Sequence, residues 1–280
     1  MQVFEHSAAP GSPDRFDLAL AYPQWQGSGR SANLPRGAEA AAEVCGRYAP
    51  LRRVAMAGEG DAVGGINRWT AILDQFRAAQ AILDEVRPAR ILTAGGDCAV
   101  DVVVIDHLHR RYPDLTVIWV DAHLDANTAE TSPSGSFHGM PVATLLGRPP
   151  AALRGLLGPA LAPSQLLYVS AHVGDHGEWA FQREQGVRWL EPGQTVSGPV
   201  HIHFDLDALD PAQFPHLAYP EGRLSLEAGV DLVRNIAAGG NLVGLTLTEF
   251  APADAAAALD GGRYLQRLCE AAGLREMPTV

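Results

Sequence analysis

The stretch Leu115-Thr116-Val117-Ile118-Trp119-Val120-Asp121-Ala122-His123-Leu124-Asp125 passes from an apolar run into three polar residues spaced by two. A short run this apolar and β-branched reads as a strand covered on both faces. Similar runs lie at 90–94, 165–170, 200–204 and 242–246, each five or six residues long. Stretches long enough for helices separate them, such as 100–111 and 226–237. Ahead of them, Ile72, Phe76, Ala79, Ile82, Leu83 and Val86 recur at helical spacing within 69–86, and Pro88 stops that helix. Strands alternating with helices predict an α/β protein, a three-layer α/β/α sandwich around a mainly parallel sheet. We expect a single domain over 1–280, with a loop-rich segment at 1–36, because 8–36 is rich in Gly, Pro and Ser.

Composition narrows the function. The chain of 280 residues carries 32 acidic against 21 basic side chains, a formal charge of −11. This balance argues against a nucleic-acid partner, which needs a concentrated positive face. No run approaches the ~18 apolar residues of a spanning helix, so no membrane partner is expected. Met1 to Pro13 lacks a basic flank followed by an apolar stretch, so no export signal is expected either. All 21 basic residues are Arg. Without lysine there is no Schiff base to pyridoxal phosphate and no P-loop lysine. Cys45, Cys98 and Cys269 are too few and scattered for a disulfide framework, and a reducing cytoplasm is the expected setting.

Ligands of an open parallel sheet bind beyond the carboxyl ends of its strands. Here those ends carry Gly95-Gly96-Asp97-Cys98, then Asp121-Ala122-His123-Leu124-Asp125, then Asp205-Leu206-Asp207, and finally Thr248-Glu249. Alternation by two puts Asp121, His123 and Asp125 on one side of an extended segment, and Asp205 with Asp207 repeats the pattern. Carboxylates gathered this way repel one another and are costly to desolvate unless cations neutralise them. Oxygen-rich ligands with one or two nitrogens suit a divalent ion, with Mn²⁺ ahead of Zn²⁺.

These motifs resemble those of the ureohydrolases, the family of arginase, agmatinase and formimidoylglutamase. Gly95-Gly96-Asp97-Cys98, Asp121-Ala122-His123-Leu124-Asp125, Ser134-Gly135-Ser136-Phe137-His138-Gly139-Met140-Pro141 and Phe204-Asp205-Leu206-Asp207-Ala208-Leu209-Asp210-Pro211 match in order, followed by Gly244-Leu245-Thr246-Leu247-Thr248-Glu249. The resemblance implies two Mn²⁺ ions bridged by hydroxide. Asp121 and Asp205 would bridge both, Asp125 would bind the first, and His123 and Asp207 the second. It also implies hydrolysis of a guanidino C–N bond to urea and an amine, with Glu249 pairing the guanidinium and His138 carrying a proton. By the same resemblance the protein is a homo-oligomer, a trimer or hexamer.

Two positions depart from the family pattern. Cys98 stands where relatives usually carry a metal-binding His. It either ligates as a thiolate, shifting preference towards Zn²⁺, Fe²⁺ or Co²⁺, or stays a buried thiol. His203 stands where arginase and agmatinase relatives often carry Ser. It faces the same side as Asp205, as does His201, and we expect it to pack in the core with a satisfied ring rather than to supply a replacement ligand. His6, His107, His109, His172, His176 and His216 are assigned to surface or loops.

For the substrate, Asn127 and Ser134 resemble residues that hold an α-carboxylate in arginases, and Ser136 lies beside them where arginases more often carry Asn. Asp175 and Glu178 resemble the acidic pair that meets the α-amino group. The expected substrate is therefore L-arginine or a related guanidino acid, with a formimidoyl compound or another guanidino compound as the alternative. Two other readings are a non-catalytic relative, motivated by Cys98, and a mononuclear Zn²⁺ amidohydrolase of the deacetylase type. Retention of Asp121, His123, Asp125, Asp205 and Asp207 opposes the first; the 134–141 loop and Glu249 oppose the second.

Overall fold

A computed structural model describes residues 15–29, 33–191 and 193–278. Its elements in chain order are β1 (Leu18–Tyr22), α1 (Asn33–Cys45), β2 (Leu51–Arg53), α2 (Trp69–Val86), β3 (Ile91–Gly95), α3 (Asp101–Arg111), β4 (Thr116–Val120) and α4 (Pro141–Leu145). There follow β5 (Leu166–Val169), α5 (His176–Gln185), β6 (Arg188–Trp189), β7 (Pro199–Asp205), α6 (Leu226–Gly239), β8 (Asn241–Thr248) and α7 (Ala255–Ala271). The eight strands form one sheet in the order β2-β1-β3-β8-β7-β4-β5-β6, and every pair is parallel.

Alternate strand residues feed two separate cores. Leu18, Leu20, Tyr22, Val117 and Trp119 pack with α2, α3, α4 and Phe181 of α5. Ala19, Ala21, Ile118, Val120, Ile202 and Phe204 pack with α1, α6 and α7 on the other face. The sheet is thus covered on both sides, as its near-continuous apolar strands require. The helix expected at 69–86 is α2, and it ends at Arg87, whose φ of 51° turns the chain ahead of Pro88.

The segment 1–36 needs correction where it is described. Residues 1–14 and 30–32 lie outside the described residues, but Leu18–Tyr22 is a fully buried strand and α1 already begins at Asn33. Small alanines at 19 and 21 let α1 close over β1, so this stretch is sheet rather than loop. No helix among the described residues is long and apolar enough to cross a membrane.

Four central strands, β3, β8, β7 and β4, bring the expected polar residues together. In register, Trp119 of β4 stands beside His203 of β7, and His203 beside Thr246 of β8. Asp205 pairs with Thr248 in the same way, so the strand ends finish level with one another.

Candidate metal centre

At the end of β3 the chain turns through Gly95-Gly96-Asp97. A Cβ on Gly96 would lie 1.8 Å from the carbonyl oxygen of Gln24, so only glycine lets this turn sit against the loop after β1. Asp97 fastens the same junction. Its carboxylate accepts from Gln24 Nε2 at 3.1 Å, Gly27 N at 2.8 Å and Ala99 N at 3.0 Å. Burial, then the nearby Glu249, push its pKa up to about 7 against the pull of His138 and its own hydrogen bonds. The turn delivers Cys98, wholly buried, to the centre of the cluster.

The other ligand candidates arrive from β4 and β7. Asp121 accepts from His123 N at 2.6 Å on Oδ1 and from Trp119 Nε1 at 3.1 Å on Oδ2. Asp205 accepts from Asp207 N at 2.7 Å on Oδ1, and its Oδ2 takes the Cys98 thiol at 2.8 Å. His123 Nδ1 lies 3.1 Å from Asp207 Oδ2 and 3.3 Å from Asp121 Oδ1. Two sets of ligand atoms therefore converge, each within 4.8 Å: Cys98, Asp121, His203 and Asp205 in one, and Asp121, His123 and Asp207 in the other. Asp121 belongs to both. Asp125 belongs to neither, yet its buried Oδ2 has no hydrogen-bond partner.

The electrostatics fit a site built for cations. Burial, and then Asp207 and Asp121, raise the Asp205 carboxyl well above its usual range; burial and Asp121 do the same to Asp125. Asp207 is pushed up to about 7 by burial and then by Asp121. Burial also raises the Cys98 thiol, with Asp205 adding to it. Burial lifts Asp121 too, but its hydrogen bonds and charge pairing with His123 outweigh that and hold it low. His123 is opposed by burial and yet raised by Asp121 and Asp207. The raised carboxyls mark a place where a divalent cation would relieve the repulsion, and the orphaned Asp125 oxygen lacks the partner that such a cation would be.

One side of the cluster reaches solvent. His123 and His138 are 23% and 20% exposed and Glu221 is 44% exposed, whereas Asp121 is fully buried. Tyr219 stands over this opening, its ring 5.2 Å from that of His138 and 6.0 Å from that of His123. Glu249 follows β8 at a φ of 57°, and its N–H bonds Gly96 O at 2.8 Å. His138 Nδ1 lies 3.3 Å from Glu249 Oε1. Burial alone would lower the His138 pKa, but Glu249 and Asp97 raise it above the ordinary value. A surface cleft of about 960 Å³ opens beside Thr128, Ala129 and Glu130 rather than above the carboxylates.

The expected substrate residues divide. Asn127 donates to Asp175 Oδ2 at 3.1 Å and accepts from Thr131 Oγ1 at 2.9 Å. Ser134 Oγ accepts from Ser136 N at 3.2 Å, which shapes the loop leading to His138. Glu178 departs from its expected place. Its two oxygens accept from Ala126 N at 3.0 Å and Asp175 N at 2.7 Å, so the carboxylate ties the start of α5 to the loop after β4. His203 departs as well, because its ring is not satisfied: Nε2 is buried without a partner. Glu221, Tyr219 and Asp101 were not singled out from the sequence. Asp101 sits in the first turn of α3, a common place for an acidic residue.

A sequence model described as the arginase family matches residues 32–196 and 193–261. The chain belongs to the arginase family. Among curated relatives, an arginase of Eremothecium gossypii is 34% identical over 206 residues, 62% of this chain and 51% of that protein. An arginase of Bacillus caldovelox is 34% identical over 182 residues, 54% of this chain and 60% of that protein. The chain spans little more than half the length of such curated relatives. In fold it is similar to the Entamoeba histolytica arginase solved with L-ornithine, with a TM-score of 0.79 at 19% identity, covering 94% of this chain and 99% of the other. It is similar also to the arginase of Bacillus subtilis, with a TM-score of 0.75 at 22% identity, covering 94% and 100%. These neighbours share the arginase-like α/β fold.

Proposed function

We propose that this arginase-family chain hydrolyses a guanidino C–N bond, converting L-arginine or a related guanidino acid to urea and an amine with two Mn²⁺ ions. The observation that carries the proposal is the pair of converging ligand sets joined through Asp121, with Glu249 and His138 beside them. Arginase names among the relatives support it, as does the fold neighbour that holds L-ornithine, the amine left when arginine loses urea.

Cys98, Asp121, Asp125 and Asp205 would hold one cation, and His123 with Asp207 the other, with Asp121 and Asp205 shared. Bound cations supply an acidified water, available as a nucleophile near neutral pH. The side chains of this chain do the rest. Glu249 accepts guanidinium N–H groups on its unpartnered Oε2 and orients the carbon towards the cluster. His138, whose pKa Glu249 and Asp97 raise, supplies the proton that the departing amine needs. Asn127, Ser134 and Ser136 present donors to an α-carboxylate, and Asp175 presents an acceptor to an α-ammonium. Agmatine, which has no carboxylate, leaves those donors to water.

Urea release from L-arginine by Mn²⁺-loaded protein, against a chelator-treated control, tests the proposal. Metal-dependent urea with L-arginine well ahead of agmatine supports it. Urea from agmatine alone would overturn the substrate assignment, and no urea from any guanidino compound would overturn the reaction.

A further inference from the structure

Asp101, His201 and His203 form a wholly buried group outside the expected ligand set. His203 Nδ1 and His201 Nε2 each lie 2.8 Å from Asp101 Oδ2, and Thr246 Oγ1 donates to Oδ1 at 2.7 Å. All four residues are 0% exposed. An ionised Asp101 accepts from His203 Nδ1–H, and this fixes the tautomer whose Nε2 carries a lone pair.

That Nε2 has no hydrogen-bond partner although it is buried. An orphaned acceptor of this kind is costly in the absence of a partner. The ring lies flat against Trp119, with centroids 3.6 Å apart and planes 8° apart. The stacking opposes a tilt out of this plane, and the Nδ1 bond to Asp101 opposes a ring flip. A ring nitrogen of His203 stands within 4.8 Å of ligand atoms from Cys98, Asp121 and Asp205. Ligands of one cation ~2.0–2.4 Å from each lie no more than about 4–5 Å apart, so these four groups fit around a single ion.

We infer that His203 is the nitrogen ligand of the first cation position, oriented by Asp101, and that Cys98 and His203 together replace the single histidine that relatives place at the end of β3. The position is then a sulfur, nitrogen and carboxylate site, softer than the second and able to take Zn²⁺, Co²⁺ or Fe²⁺ as well as Mn²⁺. The second position, with His123, Asp207 and Asp121, keeps the harder set. Asp101 is a positioning residue: it holds the imidazole as a carboxylate behind a metal-bound histidine does.

This inference rests on the reading of the cluster as a metal centre, and Co²⁺ titration of metal-free protein separates the two. Ion content is measured after dialysis, and the thiolate-to-cobalt absorption band reports the first position. The expected result is two ions in the wild type, one of them with the thiolate band. His203→Ala should weaken that ion at least tenfold and leave the other unchanged. Asp101→Asn should weaken the same ion roughly 10- to 100-fold without abolishing the band, and it leaves the ligands themselves intact. Two ions of unchanged affinity in both variants would overturn the role of His203 alone. No ion bound by the wild type would overturn the metal centre as well.

Discussion

Oε1 of Glu249 lies 3.3 Å from His138 Nδ1, while Oε2 of the same carboxylate is buried without a partner. One oxygen thus engages the imidazole, and the other is the unpaired acceptor that the proposed guanidinium would take. Its φ of 57°, a left-handed conformation disfavoured for a residue with a Cβ, holds the side chain in that place. Glu249→Gln keeps the shape and removes the charge. Losing one member of a buried charged pair costs about 2–5 kcal/mol, so kcat/KM should fall roughly thirty-fold or more. Metal content should remain at the wild-type level. Steady-state kinetics alongside metal analysis checks both, and unchanged turnover would remove Glu249 from substrate binding.

The same substitution should be visible in the imidazole. Glu249 and Asp97 raise the His138 pKa. A raised histidine stabilises the fold fully below its ordinary pKa, and the contribution is lost as pH rises through the folded value. In Glu249→Gln the NMR titration of His138 should move to lower pH. The stability advantage of the wild type should be greatest at acid pH and shrink on passing to alkaline pH.

Removing the metal should reverse the ordinary pH preference of the protein. Burial and Asp121 raise Asp207 from 3.8 to about 7. A carboxyl raised in this way favours the fold below its unfolded value, and that contribution is lost as pH rises through the folded value. Chelator-treated protein should therefore lose Tm steadily between about pH 4 and 8. Mn²⁺ should restore it most strongly at the alkaline end, where the carboxylates are ionised. Thermal unfolding followed by circular dichroism at a series of pH values checks this, and a Tm that rises with pH in chelator would contradict it.

Glu178 offers a test of structure against recognition. Each hydrogen bond from a backbone amide to a charged group contributes about 1.5–3 kcal/mol, and Glu178 makes one with Ala126 and one with Asp175. Glu178→Ala should lower unfolding stability by that order, and Glu178→Gln, which keeps one acceptor, by less. Denaturant unfolding gives the answer. Unchanged stability with a changed preference between L-arginine and agmatine would instead place Glu178 against the substrate amine.

Strand cores and the polar residues that follow them were legible because both patterns are local. The run ending at Val120 and the alternation of Asp121, His123 and Asp125 need no knowledge of the rest of the chain. β1 was not legible, because Ala19 and Ala21 weaken its apolar signal and Gly, Pro and Ser surround it. β2 and β6, with three and two residues, are too short to carry a pattern.

Asp101 and His203 failed for a different reason. They are separated by 102 positions and meet only because α3 starts beside β7. Nothing near either residue signals the other. Glu178 had a local signal that the family resemblance obscured: an acidic residue three positions after Asp175 is a capping arrangement at a helix start.

The two margins of the sheet are its shortest strands, β2 with three residues and β6 with two. Each leaves few free backbone groups for another strand to zip onto, which guards a long parallel sheet against edge-to-edge aggregation. Short margins of this kind disfavour growth of the sheet from one copy to another, and the strand ends that gather the acidic cluster stay clear of such a ladder.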